Sequence, residues 1–198
     1  MCYLNCEHCR EKLLETMLPA LNPNDLFRIC LKNKRKGGTG CLISGGCLKD
    51  GKVPLMKYIS VIKQIKEKLK LKVVVHTGLV THSIAEALAS ANVDGVMLDI
   101  IGANETIKRI YHLNHKVEDF ENALAILEQH NIPTIPHIVV GLHFGRIKGQ
   151  KSFRNHSEIL DICISYSYIN AFKRHSNGKC KTTSSNGRYR NHYYCKIF

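Results

Sequence analysis

The chain has 198 residues, 44% of them hydrophobic, which is enough apolar material for a buried core and excludes a mainly disordered protein. Its longest apolar runs, around residues 73–76 and 135–142, are far shorter than the roughly 20 residues that cross a bilayer, so we expect no membrane partner. Nine cysteines without a recognisable export signal indicate reduced thiols or metal ligands in a cytoplasmic protein.

The formal net charge of +13 raises the question of nucleic-acid binding, because clustered Lys and Arg neutralise phosphates. Residues 151–198 contribute +7 of that charge and contain five of the eight tyrosines. We therefore divide the chain into residues 1–150 and a basic C-terminal segment, residues 151–198. A mobile tail, an aberrant C-terminus from a reading-frame change and a nucleic-acid arm are the open interpretations of this segment. The uneven charge disfavours nucleic acid as a partner of the first 150 residues.

Residues 1–150 alternate between short apolar runs and stretches with apolar residues at helical spacing. The apolar runs predict strands at residues 41–43, 73–75, 93–101 and 134–140. The helical stretches cover residues 55–69, 84–91, 107–113 and 120–127. Strands that are apolar at nearly every position are typical of a parallel sheet covered by helices on both faces. The sequence thus predicts an α/β protein, either a (β/α) barrel or a doubly wound sheet.

The first ten residues contain Cys2, Cys6 and Cys9 in the spacing C-x3-C-x2-C. Three thiolates so close in sequence can each bind a different iron of a cubane cluster, which leaves the fourth iron open to a substrate or cofactor. A structural zinc site is one alternative, although zinc usually takes two paired clamps and the next three cysteines do not form a second clamp by spacing. Unliganded thiols are the other alternative.

Further candidates lie at the ends of the predicted strands. Ser44-Gly45-Gly46 follows the first strand, where glycines either let the backbone approach a ligand or form an ordinary turn. Asp99, near the end of the third strand, is placed to bond ribose hydroxyls or to hold a base, unless it is a helix-capping or turn residue. His76 and His137 belong to buried strands, where proton transfer and a histidine satisfied by a neighbour are both open interpretations.

The cysteine spacing resembles the signature of the radical S-adenosylmethionine (radical SAM) superfamily, in which most members carry an aromatic residue at the position of His8. Ser44-Gly45-Gly46 is similar to the superfamily's Gly-Gly-Glu motif, which contacts the amino group of the cofactor, with Cys47 in place of Glu. Residues 96–113 resemble the biotin synthase and lipoyl synthase-like branch. The fourth run is similar to the Gly-x-Ile-x-Gly element that flanks the adenine.

This resemblance spans residues 2–150 and implies a partial (β/α) barrel of the radical SAM type, with its first strand missing and its later strands unclear. It implies that Cys2, Cys6 and Cys9 bind a [4Fe-4S] cluster. The residues that it implies for binding S-adenosylmethionine are Ser44, Gly45, Gly46, Asp99, Val139 and Gly141.

The implied activity is reductive cleavage of S-adenosylmethionine to a 5'-deoxyadenosyl radical, which takes hydrogen from a small-molecule or protein-bound substrate. Sulfur insertion is the reaction of the branch it resembles, and ferredoxin or flavodoxin is the type of electron donor. No catalytic side chain is assigned. A noncatalytic metal- or nucleic-acid-binding protein and an inactive truncated enzyme are the alternatives, since a sheet without its first and last strands has unpaired edges.

Overall fold

The computed structural model describes residues 1–139, 142–143, 163–165 and 193–197, the last two ranges as backbone strands. The helices are α1 (Lys12–Glu15), α2 (Pro23–Arg35), α3 (Ile59–Gln64), α4 (His82–Ser90), α5 (Asn104–Arg109) and α6 (Val117–Gln129). A 3-10 turn, Met56–Tyr58, precedes α3, and a π-helical turn, Ile65–Leu69, follows it. The strands are β1 (Leu18–Ala20), β2 (Gly40–Gly45), β3 (Lys72–His76), β4 (Gly95–Asp99), β5 (Thr134–Val139), β6 (Cys163–Ser165) and β7 (Tyr193–Ile197).

All seven strands form one sheet in the order β1-β7-β2-β3-β4-β5-β6, and every pair of neighbours is parallel. The carboxyl ends of the strands therefore lie along one edge of the sheet, where α/β proteins bind their ligands. The prediction of an α/β protein with a parallel sheet is confirmed. None of the helices in the described ranges is both long and apolar enough to pass through a bilayer.

The four predicted strands form the centre of the sheet as β2, β3, β4 and β5. Three of the four predicted helical stretches match the segment from Met56 to Leu69, α4 and α6. The stretch 107–113 is the exception, since α5 ends at Arg109 and His112 has a left-handed φ of 57°. A residue in that conformation cannot continue a right-handed helix, whatever the apolar spacing suggests.

The edges of the four-strand core are paired, so in the described sheet the expected unpaired edges fall on the outer strands β1 and β6. On one side β2 pairs with β7 over five registered residues, and on the other β5 pairs with β6 over three. Both partners come from the basic C-terminal segment, whose sequence has no clear apolar period. Strand pairing depends on backbone groups, so such a segment can close an edge without a side-chain pattern that predicts it. The rest of residues 151–198 lies outside the described residues. The three interpretations of this segment, as a mobile tail, an aberrant C-terminus or a nucleic-acid arm, therefore stay predictions.

Apolar residues of the strands and helices form one continuous hydrophobic core. Ile43 of β2 and Leu98 of β4 are fully buried, as are Leu26 of α2 and Ile62 of α3. Helix α2 starts with a side-chain cap, in which Oδ1 of Asn22 accepts a hydrogen bond from the backbone amide of Asp25 at 2.9 Å. The core holds the strands in register and thereby fixes the positions of the side chains at their carboxyl ends.

Helix α6 packs under β5 and has an acidic first turn that offers a test of stability. The carboxylate of Asp119 accepts a hydrogen bond from the amide of Lys116 at 2.8 Å and lies 3.1 Å from His115 Nδ1. The hydrogen bond from the Lys116 amide, together with the contact with His115, lowers the pKa of Asp119. We expect Asp119→Ala to lower the free energy of unfolding by about 1 kcal/mol at neutral pH, measured by urea unfolding.

Because the pKa of Asp119 is lower in the folded state than in the unfolded state, its stabilisation is complete above the unfolded pKa of about 4. The difference between wild type and Asp119→Ala should therefore be constant from neutral pH to about pH 4 and shrink at lower pH. Glu118→Ala, at the adjacent exposed position, is the control and should change stability by less than about 0.5 kcal/mol. A difference between the two variants that grows on acidification would contradict this assignment.

Candidate active site

The three cysteines lie on a loop, residues 2–9, that folds over the carboxyl edge of the sheet. The amide of Tyr3 donates to the carbonyl of Cys47 at 2.9 Å, which joins the loop to the segment after β2. At the other end, the amide of Glu7 donates to the carbonyl of Ile110 at 2.9 Å. The thiol of Cys6 lies 3.8 Å from the carbonyl of Tyr111, just beyond α5. The loop is thus anchored to two strand-to-helix connections of the sheet.

The thiols of this loop lie close enough to change one another's acidity. A hydrogen bond from the Cys47 thiol, together with backbone amides, lowers the pKa of Cys2 to about 5 despite its partial burial. A hydrogen bond from Cys6 lowers the pKa of Cys9 to about 7, and the same contact and burial raise the pKa of Cys6. The structure therefore brings Cys2, Cys6 and Cys9 together, and their ligation of iron remains a prediction.

Cys47, which the sequence gives no clear role, lies directly beside the cysteine loop. Its amide donates to Cys2 Sγ at 3.3 Å, and contact with Cys2, together with burial, raises the pKa of the Cys47 thiol. The sequence signal for this neighbour is its position immediately after the glycine pair. Cys30 and Cys41 behave differently, because their sulfurs lie 3.8 Å apart in the core and Cys41 is near the amino end of β2.

The glycine pair has a structural role that differs in part from the sequence expectation. A Cβ on Gly46 would lie 2.2 Å from the carbonyl oxygen of Met1 and 2.8 Å from Cys2 Cα. The missing side chain of Gly46 thus makes room for the cysteine loop. Gly45 is the last residue of β2 and is buried, as is Ser44. Contact of Ser44, Gly45 and Gly46 with a cofactor remains a prediction.

Gly46→Ala should therefore displace the cysteine loop. We expect anaerobic reconstitution of this variant to give less than about one tenth of the wild-type iron and sulfide content, because a Cβ contact under 3 Å with backbone forces the loop to move. Gly95→Ala is the matched control, since its Cβ would meet the flexible end of Ile135 at 3.2 Å and would stay 3.5 Å from the nearest backbone atom, the carbonyl oxygen of Pro133. If Gly46→Ala kept the iron content of the wild type, the prediction would be wrong, because the loop would bind the cluster in spite of the added Cβ.

Asp99 is held between two histidines at the same edge of the sheet. It is the last residue of β4, His76 is the last residue of β3, and His137 is directly opposite Asp99 in β5. Asp99 Oδ1 lies 2.6 Å from His137 Nδ1 and 3.3 Å from His76 Nε2. The helix-cap interpretation of Asp99 is wrong, because α5 begins at Asn104 with Ala103 as its N-cap. Each of the two histidines therefore has Asp99 as its hydrogen-bond partner.

The three side chains are each about one fifth exposed, so solvent and small ligands can reach them. Burial by itself would raise the pKa of Asp99, but the charge of His76 and hydrogen bonds from both histidines lower it well below its ordinary value. Burial opposes charge on His76 too, yet Asp99 raises the pKa of this histidine. Both histidines approach Asp99 Oδ1, and within the described residues no hydrogen bond reaches Oδ2.

His8 adds an unsatisfied polar atom that the sequence did not reveal. Its ring lies 4.8 Å from the ring of Tyr111, and its Nδ1 is buried without a hydrogen-bond partner among the described residues. Burial lowers the pKa of His8, which keeps the ring neutral. An unpaired buried polar atom costs free energy unless a ligand satisfies it. His8 therefore marks a position where a bound molecule would supply the missing hydrogen bond.

The last two sequence candidates belong to the end of β5. Val139 is the final residue of that strand, is partly buried and packs against the core. Gly141 lies outside the described residues. The contact of Val139 and Gly141 with an adenine ring is untested.

Comparisons with known proteins identify the family of this chain. The family model of the radical SAM superfamily matches residues 1–146. The chain therefore belongs to the radical SAM superfamily, a class of enzymes that use an iron–sulfur cluster and S-adenosylmethionine. No curated protein matches the chain.

Two solved structures are similar to the chain to different degrees. The crystal structure of methylornithine synthase (PylB) matches with a TM-score of 0.59 at 14% identity, over 82% of this chain and 50% of that chain. This similarity shows the fold, and the chain spans about half the length of PylB. A NadC deletion mutant matches at a TM-score of 0.34 and 18% identity, over 85% of this chain and 54% of that chain.

The residues at the sheet edge fit the cofactors of the superfamily. Three converging thiols supply the donors that an iron–sulfur cluster takes, and two of them have pKa values lowered toward or below neutrality. His8 Nδ1 and Asp99 Oδ2, which have no hydrogen-bond partner in the described part of the chain, supply polar contacts beside those thiols. Cys47 in place of an acidic residue and His8 in place of an aromatic residue are the two departures from the superfamily pattern.

Proposed function

We propose that this chain binds a [4Fe-4S] cluster through Cys2, Cys6 and Cys9 and cleaves S-adenosylmethionine reductively. The observation that carries the proposal is the convergence of these three thiols at the carboxyl edge of a parallel sheet. When bound, the cluster supplies the electron that splits the cofactor into methionine and a 5'-deoxyadenosyl radical able to take hydrogen from a substrate.

The chain's own residues prepare the site for iron. With pKa values of about 5 and about 7, Cys2 and Cys9 are thiolates in a large fraction of molecules at neutral pH, and the thiolate is the form that binds metal. Cys6 is the buried member of the set and its pKa is raised, so iron bound there would have to displace the thiol proton. Hydrogen bonds from the backbone amides of Tyr3 and Glu7 to neighbouring carbonyls hold the loop in place without a metal.

For the cofactor, we propose a binding surface along the ends of β2, β4 and β5. The backbone of Ser44, Gly45 and Gly46 is proposed to face the methionine part, and Val139 and Gly141 the adenine. Asp99 Oδ2 is proposed to accept hydrogen bonds from the ribose hydroxyls, with the histidines fixing the carboxylate through Oδ1. Since Cys47 lacks the carboxylate of the superfamily motif, the cofactor's amino group relies on backbone carbonyls here.

We further propose residues 1–150 as the catalytic unit and the cytoplasm as its location, because reduced thiols are maintained there. The substrate is a small molecule or a protein-bound group, and the electron donor is of the ferredoxin or flavodoxin type. Membership of the biotin synthase and lipoyl synthase-like branch, with sulfur insertion, rests on residues 96–113 alone. That reaction also needs an auxiliary cluster. Cys30 and Cys41 do not favour one, because their thiols contact each other inside the core.

Anaerobic reconstitution with iron and sulfide tests the proposed function directly. We expect about four irons per chain, a cluster spectrum that changes on adding S-adenosylmethionine, and 5'-deoxyadenosine after reduction with dithionite. One zinc per chain with no 5'-deoxyadenosine would favour a noncatalytic metal-binding protein. A complete cluster that yields no 5'-deoxyadenosine would favour an inactive member of the superfamily.

A further inference from the structure

We propose that His76, Asp99 and His137 bind one divalent transition-metal cation, at a site that lies beside the cysteine loop and shares no ligand with it. The three residues lie on the neighbouring strands β3, β4 and β5, and one ligand atom from each lies within 4.8 Å of the other two. The proposal rests on the proposed function only in that a cluster occupies the cysteines during the test and keeps added cations away from the thiols. Binding of S-adenosylmethionine and its cleavage are not involved.

The distances between these atoms are near those of a coordinated ion. Bonds from zinc to imidazole nitrogen and carboxylate oxygen are about 2.0–2.1 Å long, so two donors on one ion lie about 3 Å apart. Asp99 Oδ1 is 2.6 Å from one histidine nitrogen and 3.3 Å from the other. The two imidazole rings meet edge to face at 86°, so both nitrogens approach the carboxylate without the rings stacking. Small side-chain rotations would open a space for one cation among the three atoms.

The donor set selects a different metal species from the one that the cysteines bind. Two imidazoles and one carboxylate form a binding set for Zn²⁺, Fe²⁺ and related divalent ions, whereas clusters are built on thiolates. Three protein ligands leave at least one coordination position for water or for an oxygen atom of a substrate. Side-chain exposures of 18–20% allow a cation to enter from solvent.

The competing explanation is a hydrogen-bonded network in which both imidazoles donate to Asp99 and no cation binds. Both imidazole nitrogens approach the same oxygen, Oδ1 of Asp99. A network that served only to satisfy two N–H donors could use one carboxylate oxygen for each. The sharing of Oδ1 therefore favours a common cation site. The cation would use Oδ1 of Asp99, and the ribose contact proposed above would use Oδ2. The two roles are therefore compatible.

The test is a zinc titration of the full chain after its cluster has been reconstituted. Equilibrium dialysis against Zn²⁺, followed by elemental analysis, should give one zinc per chain with the iron content unchanged. His76→Gln and His137→Gln should each weaken zinc binding at least about 100-fold, since losing a ligand costs more than the 10–100-fold typical of the residues that orient ligands. Glutamine keeps a polar side chain at each position, and circular dichroism verifies that each variant is folded.

His82→Gln is the matched control, because His82 forms an exposed pair with His130, with ring nitrogens 3.4 Å apart, on α4 and just after α6. This variant should bind zinc as the wild type does. Three results would overturn the proposal: no zinc on the wild type, an undiminished zinc equivalent on both ligand variants, or zinc uptake matched by loss of iron. Formation of 5'-deoxyadenosine, measured in parallel, reports on the proposed function and leaves the zinc count independent of it.

Discussion

Replacing Cys6 with alanine is expected to abolish the cluster and, with it, all formation of 5'-deoxyadenosine from S-adenosylmethionine. Cys6 is the buried member of the triplet, and it is coupled by a hydrogen bond to Cys9 and by charge to Cys2. Two thiolates cannot hold a cubane cluster that needs a protein ligand on three of its irons. We expect a loss of at least about 100-fold in both iron content and product, measured after anaerobic reconstitution.

Cys30→Ala is the matched control for this substitution. Cys30 is also buried, but its sulfur contacts Cys41 in the core, away from the loop of residues 2–9. This variant should reconstitute a full cluster, with a change confined to stability. A Cys6→Ala protein that keeps its full iron content and product would mean that the triplet does not hold the cluster.

Truncation of Leu98 to alanine is expected to cause a large loss of stability. Leu98 is fully buried, precedes Asp99 in β4 and lies opposite Pro136 of β5. Leucine-to-alanine changes at such positions cost about 2–5 kcal/mol, because the lost apolar contact leaves a cavity that the neighbours only partly fill. This is a large share of the roughly 5–15 kcal/mol that stabilises a typical domain.

Urea unfolding followed by circular dichroism measures this difference. Leu21→Ala removes the same atoms from a side chain that is 62% exposed, and it should change stability by less than about 0.5 kcal/mol. Similar losses in the two variants would mean that Leu98 is not packed as the structure shows. Because Leu98 supports the strand that carries Asp99, zinc binding by Leu98→Ala should weaken in parallel with its stability.

Cys47 shows how a departure from a family pattern acquires meaning only in three dimensions. In the sequence it is a cysteine where a glutamate is typical, with no clear partner. In the fold its amide and thiol both contact Cys2, and its presence lowers the pKa of that thiolate to about 5. The substitution thus affects the acidity of one proposed cluster ligand directly.

The sequence by itself determined the parallel α/β arrangement, the four central strands and the cysteine triplet. Each of these follows from a local signal, namely a short apolar run, a helical period or a fixed spacing along the chain. The same signals failed at residues 110–113, where a left-handed residue ends α5 early, and along β6 and β7, whose pairing depends on backbone rather than on an apolar pattern.

Only the tertiary structure decided which side chains meet. His76, Asp99 and His137 are separated by 23 and 38 residues in sequence, and they come together because parallel strands bring their carboxyl ends to one edge. The need for glycine at position 46 likewise depends on the cysteine loop passing across the end of β2. Contacts of this kind depend on strand order and register, which long-range packing fixes and local sequence does not encode.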